Sequence, residues 1–320
     1  MRSLTDRGVS IIFITHKLKE VLAVADRISV LRGGRLSGTA VPEASTEASL
    51  AELMVGRKVI LQVEKEDAHP TAPVLTIDDM KVRDDRKHLA VKGLSLEVRA
   101  GEILGVAGVQ GNGQREFVEA LTGLRPMEGG TVSIAGEDAT GLLPRQITEL
   151  DVAHIPEDRE KHGLVMGYTI ADNLVLNRYY RAPYSRNSVL DRDEIAENGT
   201  KLVQAYDVRT PSIYTHASNL SGGNKQKVIV AREFSRPVKL LIANQPTRGI
   251  DVGSIEFIHK QIVAQRDAGV AVLLVSAELD EILSLSDRVA VMFDGRIVKT
   301  LPIEEATRER LGLLMAGSEA

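Results

Sequence analysis

The sequence contains no cysteine, and aromatic residues make up only 3% of its 320 positions. Without cysteine, neither a disulfide framework nor a thiolate metal site is possible. Apolar runs such as residues 11–14 and 270–275 are far shorter than the roughly 20 residues of a membrane-spanning helix. The apolar stretch near the N-terminus is also too short for a signal peptide. We therefore expect a cytoplasmic protein that reaches a membrane only through a partner.

An excess of positive charge is also absent. The chain has 40 Lys and Arg residues against 44 Asp and Glu residues, a formal net charge of −4, and its basic residues are dispersed among acids. Proteins that bind nucleic acid need a basic face that neutralises phosphates. A nucleic-acid partner is therefore not expected. The 43% hydrophobic content is enough for at least one large core, which predicts one full domain plus part of another.

Two parts of the chain repeat each other. Residues 8–21 recur as residues 269–282, and the matches continue without a gap to Gly56 and Gly317. A repeat of this length predicts two domains of one kind, of which the first is present only as its C-terminal part.

We expect three segments on this basis. Residues 1–56 are a C-terminal remnant of the first domain, with its last strand, switch region and terminal helices, and the phosphate loop of that domain would lie before Met1. Residues 57–73 are charged and contain two prolines, which is typical of a solvated linker. Residues 74–320 are the second domain.

The second domain contains a candidate phosphate-binding loop. Residues 103–107 are an unbroken apolar run, typical of a parallel strand covered on both faces, and lead into a glycine-rich loop and a helical pattern. In this context, backbone N–H groups and a helix N-terminus bind phosphate. The glycines of G-x-x-G-x-G-K-[ST] are present, but Gln114 and Arg115 replace the lysine and the hydroxyl residue. The candidate phosphate-binding residues are Gly108, Gly111, Asn112, Gly113, Gln114, Arg115 and Glu116.

Two further motifs follow in the sequence. Residues 220–224 read Leu-Ser-Gly-Gly-Asn, with Ser221 placed to cap the next helix. About twenty residues later an apolar strand ends in Asn244 and Gln245.

Together these motifs resemble the ATPase domains of ABC transporters. More narrowly, residues 243–249 and the Pro-Glu-Asp-Arg wording of residues 156–159 resemble the second ATPase domains of nucleoside importers and of ribose- and galactose-type sugar importers. The resemblance implies an α/β P-loop NTPase fold with an antiparallel β subdomain and a helical subdomain. It implies ATP and Mg²⁺ as cofactors. It also implies transmembrane permease subunits, a substrate-binding protein and another ABC domain as partners, at the cytoplasmic face of the membrane.

The resemblance identifies the catalytic positions, and it implies that the second domain has altered residues at them. Asn244 stands where the Walker B aspartate holds Mg²⁺, and Gln245 stands where a glutamate acts as general base. His16 is the switch histidine of the first domain, whereas its counterpart in the second domain is Ala277. Arg115 and Asn244 therefore form a degenerate Mg²⁺ site, and no intact metal site is expected.

The resemblance also implies contacts to other domains. The signature loop is intact and would face a nucleotide bound by the other ABC domain, and Asp251 would contact that domain from the D-loop. Residues 157–159 occupy the Q-loop region, which meets the permease. The signature residues are Ser221, Gly222, Gly223 and Asn224, and the permease-contact residues are Glu157, Asp158 and Arg159.

The motifs predict an ATP-binding subunit of an importer for nucleosides or simple sugars, nearly inactive as this chain alone. A non-catalytic ABC domain that binds nucleotide or sets assembly is the alternative. A tandem ABC protein that acts on ribosomes or DNA is disfavoured by the acidic balance.

Overall fold

The computed structural model describes residues 1–58 and 63–318. Part of the expected linker, residues 59–62, lies outside the described residues. Among the described residues, no helix is both long enough and apolar enough to cross a bilayer. The chain forms two compact units, Met1–Glu64 with Gly249–Phe257 and Lys65–Arg248 with Ile258–Ala320.

The first unit is made of short elements around a small apolar core. Its elements before the linker are α1 (Arg2–Thr5), α2 (Leu18–Val24), β1 (Ile28–Arg32), β2 (Arg35–Ala40) and α3 (Glu47–Val55). The two strands form an antiparallel hairpin. Thr46 and Ser49 begin α3 with a capping box, in which each side chain accepts the other residue's N–H. Ile28, Leu50 and Val252 lie in the core.

The strand expected at residues 11–14 does not form. Residues 9–15 have no regular secondary structure, and Ile12 and Ile14 are 94% exposed. A strand requires a neighbouring strand for its backbone hydrogen bonds, and the described part of the first unit supplies none to these residues.

The second unit begins with an antiparallel sheet. Its strands are β3 (Pro73–Arg83), β4 (Leu89–Arg99), β6 (Gly129–Ile134) and β7 (Glu137–Asp138), in the order β4-β3-β6-β7. The alternating pattern of residues 94–98 predicts an antiparallel strand, and the pairing of β4 with β3 confirms it.

A six-stranded, mostly parallel sheet forms the centre of the second unit. Its strands are β5 (Ile103–Ala107), β8 (Val152–Ile155), β11 (Leu240–Asn244), β12 (Ala271–Ser276), β13 (Arg288–Phe293) and β14 (Arg296–Pro302). The order is β14-β13-β5-β12-β11-β8, and β14 alone pairs antiparallel. Every residue of β5 is buried, which confirms the predicted central strand.

Helices cover this sheet and form a separate helical region. The helices are α4 (Gln114–Leu121), α5 (Pro144–Glu149), α6 (Ile170–Leu174), α7 (Arg192–Ala205), α8 (Gly222–Phe234), α9 (Val252–Asp267), α10 (Leu279–Leu285) and α11 (Arg308–Met315). Two short strands, β9 (Ser185–Arg186) and β10 (Val189–Leu190), form a hairpin. Apolar residues of α6, α7 and α8, including Leu174, Leu202 and Ile229, share one core cluster.

The second half of the expected linker is ordered within the second unit. Lys65 Nζ donates to the carbonyl oxygens of Leu285 and Ser286, at 2.9 and 2.5 Å, and lies 2.7 Å from the carboxylate of Asp287. The carbonyl groups at a helix C-terminus carry partial negative charge and attract a cation. The segment therefore departs from the solvated linker expected over residues 57–73.

Candidate functional site

The glycine-rich loop joins β5 to α4 at one edge of the central sheet. Gly111 and Gly113 both have a φ of 97°, a left-handed conformation that residues with a Cβ disfavour. A Cβ at Gly113 would lie 2.4 Å from the carbonyl oxygen of Ala90. Gly113 is also the N-cap of α4, so the first N–H groups of that helix, which lack intrahelical partners, border the loop.

The two residues that follow this loop are held by neighbouring groups. Gln114 is buried, and its Nε2 donates to the carbonyl oxygen of Gly108 at 3.4 Å. Arg115 Nε donates to Glu119 at 2.8 Å, and its guanidinium lies 3.7 Å from Asp85. The bond to Glu119 raises the pKa of Arg115 above its ordinary value. The Arg115 charge is therefore paired along the side of α4, and the half-buried Glu116 beside it carries the opposite sign.

Strand β11 brings two amides to the same edge of the sheet. Asn244 is buried and pairs in register with Val275 of β12, which in turn pairs in parallel with β5. Gln245 follows with a φ of 50°, and its N–H donates to the Val275 carbonyl oxygen at 2.8 Å. An amide oxygen is a weaker Mg²⁺ ligand than a carboxylate, and an amide is no general base.

The predicted signature loop has the expected helix cap. Ser221 is the N-cap of α8, and its hydroxyl oxygen accepts the N–H of Asn224 at 3.4 Å and its side-chain amide at 3.0 Å. Asn224 Oδ1 accepts the N–H of Arg209 at 2.8 Å. Gly222 and Gly223 form the first turn of α8, and the Ser221 side of this turn is exposed. An exposed helix N-terminus of this kind favours an anion.

Three other residues of the predicted site lie near the N-terminal ends of helices. Ala277 is exposed between β12 and α10, and its methyl group makes no hydrogen bond. In the first unit, His16 is exposed just before α2. Also in the first unit, Asp251 accepts the N–H and the hydroxyl of Ser254 at 3.0 and 2.7 Å, at the start of α9.

Residues 157–159 are anchored to the turn after β11. The guanidinium of Arg248 donates to the carboxylate of Glu157, and Arg159 donates to the Arg248 carbonyl oxygen at 2.6 Å. Asp158 caps the helical turn that follows, and hydrogen bonds from backbone N–H groups there lower its pKa. Glu157 and Arg159 thus link the end of β8 to the end of β11.

The loop fits a phosphate group but does not fit Mg²⁺. Its glycines and the N-terminus of α4 present backbone N–H groups, and no bulky side chain crosses Gly111, where a Cβ would meet nothing within 4 Å. At the positions expected to hold Mg²⁺, Arg115 is a cation and Asn244 is a neutral amide.

One buried polar network was not predicted from the sequence. Gln226 donates to the carbonyl oxygen of Pro246 at 2.7 Å, and Thr247 donates to Glu281 at 2.6 Å. His259 Nε2 lies 3.0 Å from the same carboxylate oxygen of Glu281. These partners are 20 to 34 residues apart in sequence. Contacts between such distant residues have no local pattern, and the only signal is polar residue types on otherwise buried helix faces.

Comparisons with known proteins agree with the motifs. A family model described as ABC transporter matches residues 91–248. The chain is 52% identical over 318 residues to the guanosine import ATP-binding protein NupO of Bacillus subtilis, covering 99% of this chain and 62% of that protein. It is 50% identical over 317 residues to the nucleoside import ATP-binding protein NupA of Lactococcus lactis, covering 99% of this chain and 63% of that protein. It is also 38% identical over 322 residues to the ribose import ATP-binding protein RbsA 1 of Rubrobacter xylanophilus, covering 100% and 63%.

Solved structures show the same fold. A nucleotide-free ATP-binding cassette from an ABC transporter matches with a TM-score of 0.62 at 20% identity, covering 76% of this chain and 95% of that chain. The dimeric bacterial ABC transporter cassette MJ0796 matches with a TM-score of 0.61 at 17% identity, covering 72% of this chain and 98% of that chain. This chain spans about three fifths of the length of the curated relatives that it matches. Residues 91–248 therefore match the ABC transporter family model, and the solved structures show that the fold is that of an ATP-binding cassette.

Proposed function

We propose that the chain is part of the ATP-binding subunit of an ABC importer for nucleosides or simple sugars, and that it couples ATP binding and hydrolysis to transport. One observation carries the proposal, namely the exposed, Ser221-capped signature helix in a chain half identical to proteins named for guanosine and nucleoside import. In this family each ATP site is shared between the phosphate loop of one domain and the signature of another.

In the proposed arrangement, residues 1–56 are the C-terminal remnant of a first ABC domain and residues 74–320 are the second. The order of elements supports it, because α2, β1, β2 and α3 have the same types and order as α10, β13, β14 and α11. Exposure supports it as well. Ile12 and Ile14 are 94% exposed, while their repeat counterparts Leu273 and Val275 are buried in β12. Upstream strands of a first domain would bury this apolar segment.

The two shared ATP sites would then differ in activity. The intact signature at residues 221–224 would serve the site that contains His16, and this is our candidate for the hydrolytic site. The altered loop would bind ATP weakly, because loss of a charge-assisted contact costs roughly 1.5–3 kcal/mol. Turnover there would be slow, because a general base is typically worth about 10²–10⁴-fold in rate and Gln245 is not a base.

The proposed partners follow from this assignment. They are transmembrane permease subunits, a substrate-binding protein and the other ABC domain, with no nucleic acid, at the cytoplasmic face of the membrane. Glu157, Asp158 and Arg159 would meet the permease, and Asp251 would meet the other ABC domain.

A non-catalytic, nucleotide-binding assembly module is the second candidate. The specific observation in its favour is that Gln114 closes on Gly108 and that Arg115 is paired with Glu119, so neither side chain extends toward a phosphate.

Uptake by cells that lack the gene tests the proposed function. We expect such cells to lose uptake of a labelled nucleoside or of labelled ribose, and the restored gene product to co-purify with a membrane protein. Unchanged uptake of both substrate classes, or co-purification with RNA instead of a membrane protein, would contradict the proposal. Unchanged uptake with ATP-dependent co-purification of a membrane protein would favour the assembly module.

A further inference from the structure

The turn after β11 has an unusual backbone conformation. Gln245 has a φ of 50° although it carries a Cβ. Residues other than glycine, asparagine and aspartate adopt this conformation rarely, and they keep it only where the surrounding structure enforces it. Here the next two residues, Pro246 and Thr247, are both held by buried hydrogen bonds.

The first of these bonds comes from the signature helix. Gln226 is 2% exposed, and its Nε2 donates to the Pro246 carbonyl oxygen at 2.7 Å. Gln226 lies in the second turn of α8, the helix that Ser221 caps. The bond therefore joins the helix behind the signature loop to the turn that contains Gln245.

The second bond comes from the helix after the switch position. Glu281 lies in α10, is 5% exposed, and accepts the hydroxyl of Thr247 at 2.6 Å. His259 Nε2 lies 3.0 Å from the same carboxylate oxygen. Thr247 and His259 are buried as well. A buried carboxylate with a hydroxyl and an imidazole as partners is fixed in place, and it fixes Thr247 in turn.

We propose that Gln226 and Glu281 are positioning residues that hold Gln245 in its left-handed conformation. Through the turn, they connect the signature helix α8 to α10. The inference deepens the proposed function and rests on it for the meaning of the Gln245 position.

Amide hydrogen exchange of the purified chain tests this proposal. The reporters are the N–H groups of Gln245 and Arg248, which donate to Val275 and Gln245. Thr247→Val removes the hydroxyl at equal shape and is expected to accelerate both reporters by about tenfold, the effect of one net hydrogen bond. Thr247→Ser keeps the hydroxyl and should restore slow exchange.

A matched control separates the proposed role from general destabilisation. Thr122→Val removes another buried hydroxyl, which donates to the Val118 carbonyl oxygen at 2.8 Å at the end of α4. This variant should leave the Gln245 and Arg248 reporters unchanged. Reporters that are equally fast in the valine and serine variants of Thr247, or equally fast in the control, would overturn the proposal.

A second variant keeps the test decisive if Thr247→Val does not fold. Gln226→Met removes the bond to the Pro246 carbonyl at similar side-chain volume and is judged by the same reporters. Exchange is measured without nucleotide, so failure of the proposed transport function leaves this result unaffected. Wild-type exchange of the reporters in Gln226→Met would contradict the positioning role even in a chain that transports.

Discussion

Gln114 Nε2 lies 3.4 Å from the carbonyl oxygen of Gly108, so the side chain at the proposed position of the phosphate-binding lysine closes on its own loop. The neighbouring Arg115 is paired with Glu119 and Asp85. The backbone of the loop is thus suited to phosphate, whereas its side chains supply no free positive charge.

Gln114→Lys should raise the affinity of the chain for ATP. A lysine in this position adds a charge-assisted contact to the phosphates, worth roughly 1.5–3 kcal/mol, or about tenfold to a hundredfold in Kd. Calorimetric titration with ATP measures the change. Gln114→Met is the matched control, because it is similar in size and adds no charge, and an equal gain in both variants would refute the electrostatic explanation.

Restoring all three polar positions should raise the affinity for ATP in any case, but should raise ATP turnover only when a second ABC domain completes the site. In the triple variant Gln114→Lys, Asn244→Asp and Gln245→Glu, the steady-state rate of phosphate release per chain should increase with protein concentration. The reason is that the signature must come from another ABC domain. The unmodified chain should stay at least about 10²-fold below a site with a general base. Turnover by the unmodified chain at the rate of an intact ABC ATPase would contradict the degenerate site.

Lys65→Met should destabilise the second unit. The ammonium group contacts two carbonyl oxygens and Asp287 in a half-buried position, and charged hydrogen bonds of this kind contribute about 1.5–3 kcal/mol. Urea unfolding followed by circular dichroism measures the loss. Lys81→Met is the control, because Lys81 pairs with Asp79 on the surface, where ion pairs contribute little. Equal unfolding midpoints for the two variants would show that the Lys65 contacts do not stabilise the second unit.

Acid should destabilise the folded chain through His154. Burial lowers the pKa of His154 to about 4, whereas an unfolded histidine titrates near 6.5. Between these values the unfolded state binds a proton that the folded state does not, so stability is lost as the pH falls from about 6.5 to about 4. At pH 5 the loss is about 2 kcal/mol relative to pH 7.

His154→Leu should remove this loss, and urea unfolding at pH 7 and pH 5 measures the difference. The effect of the buried Glu233 on stability can be distinguished from that of His154, because the two side chains titrate in different pH ranges. Burial raises its pKa, but Arg232 and Arg236 more than offset this effect and leave the pKa below its ordinary value. The stabilisation by Glu233 is therefore lost only as the pH falls below about 4.3. The same acid sensitivity in His154→Leu and in the parent would exclude His154 as its source.

The sequence predicts those parts of the site that depend on neighbouring residues. Strand β5 follows from five consecutive apolar residues, and the Ser221 cap follows from a hydroxyl residue just before a helical pattern. Both rest on contacts within a few positions of the chain. These motifs were sufficient to predict the match of residues 91–248 to the ABC transporter family model.

Contacts between distant residues were not predictable in the same way. Residues 11–14 have the composition of a buried strand, yet a strand forms only beside other strands, and Ile12 and Ile14 are exposed. The bond between Thr247 and Glu281 joins residues 34 positions apart, and neither residue type indicates it. The hydrogen bond from Gln114 to the Gly108 carbonyl oxygen likewise depends on the local shape of the loop rather than on its sequence motif.

Uptake of a labelled nucleoside by cells carrying single variants of the gene tests the central claim, an active signature beside a degenerate catalytic position. Ser221→Asp keeps a side chain that caps helices well and places a negative charge where a phosphate is expected. The account predicts that Ser221→Asp abolishes uptake while Gln245→Ala leaves most of it. Full uptake with Ser221→Asp, or loss of uptake with Gln245→Ala at normal protein levels, would contradict it.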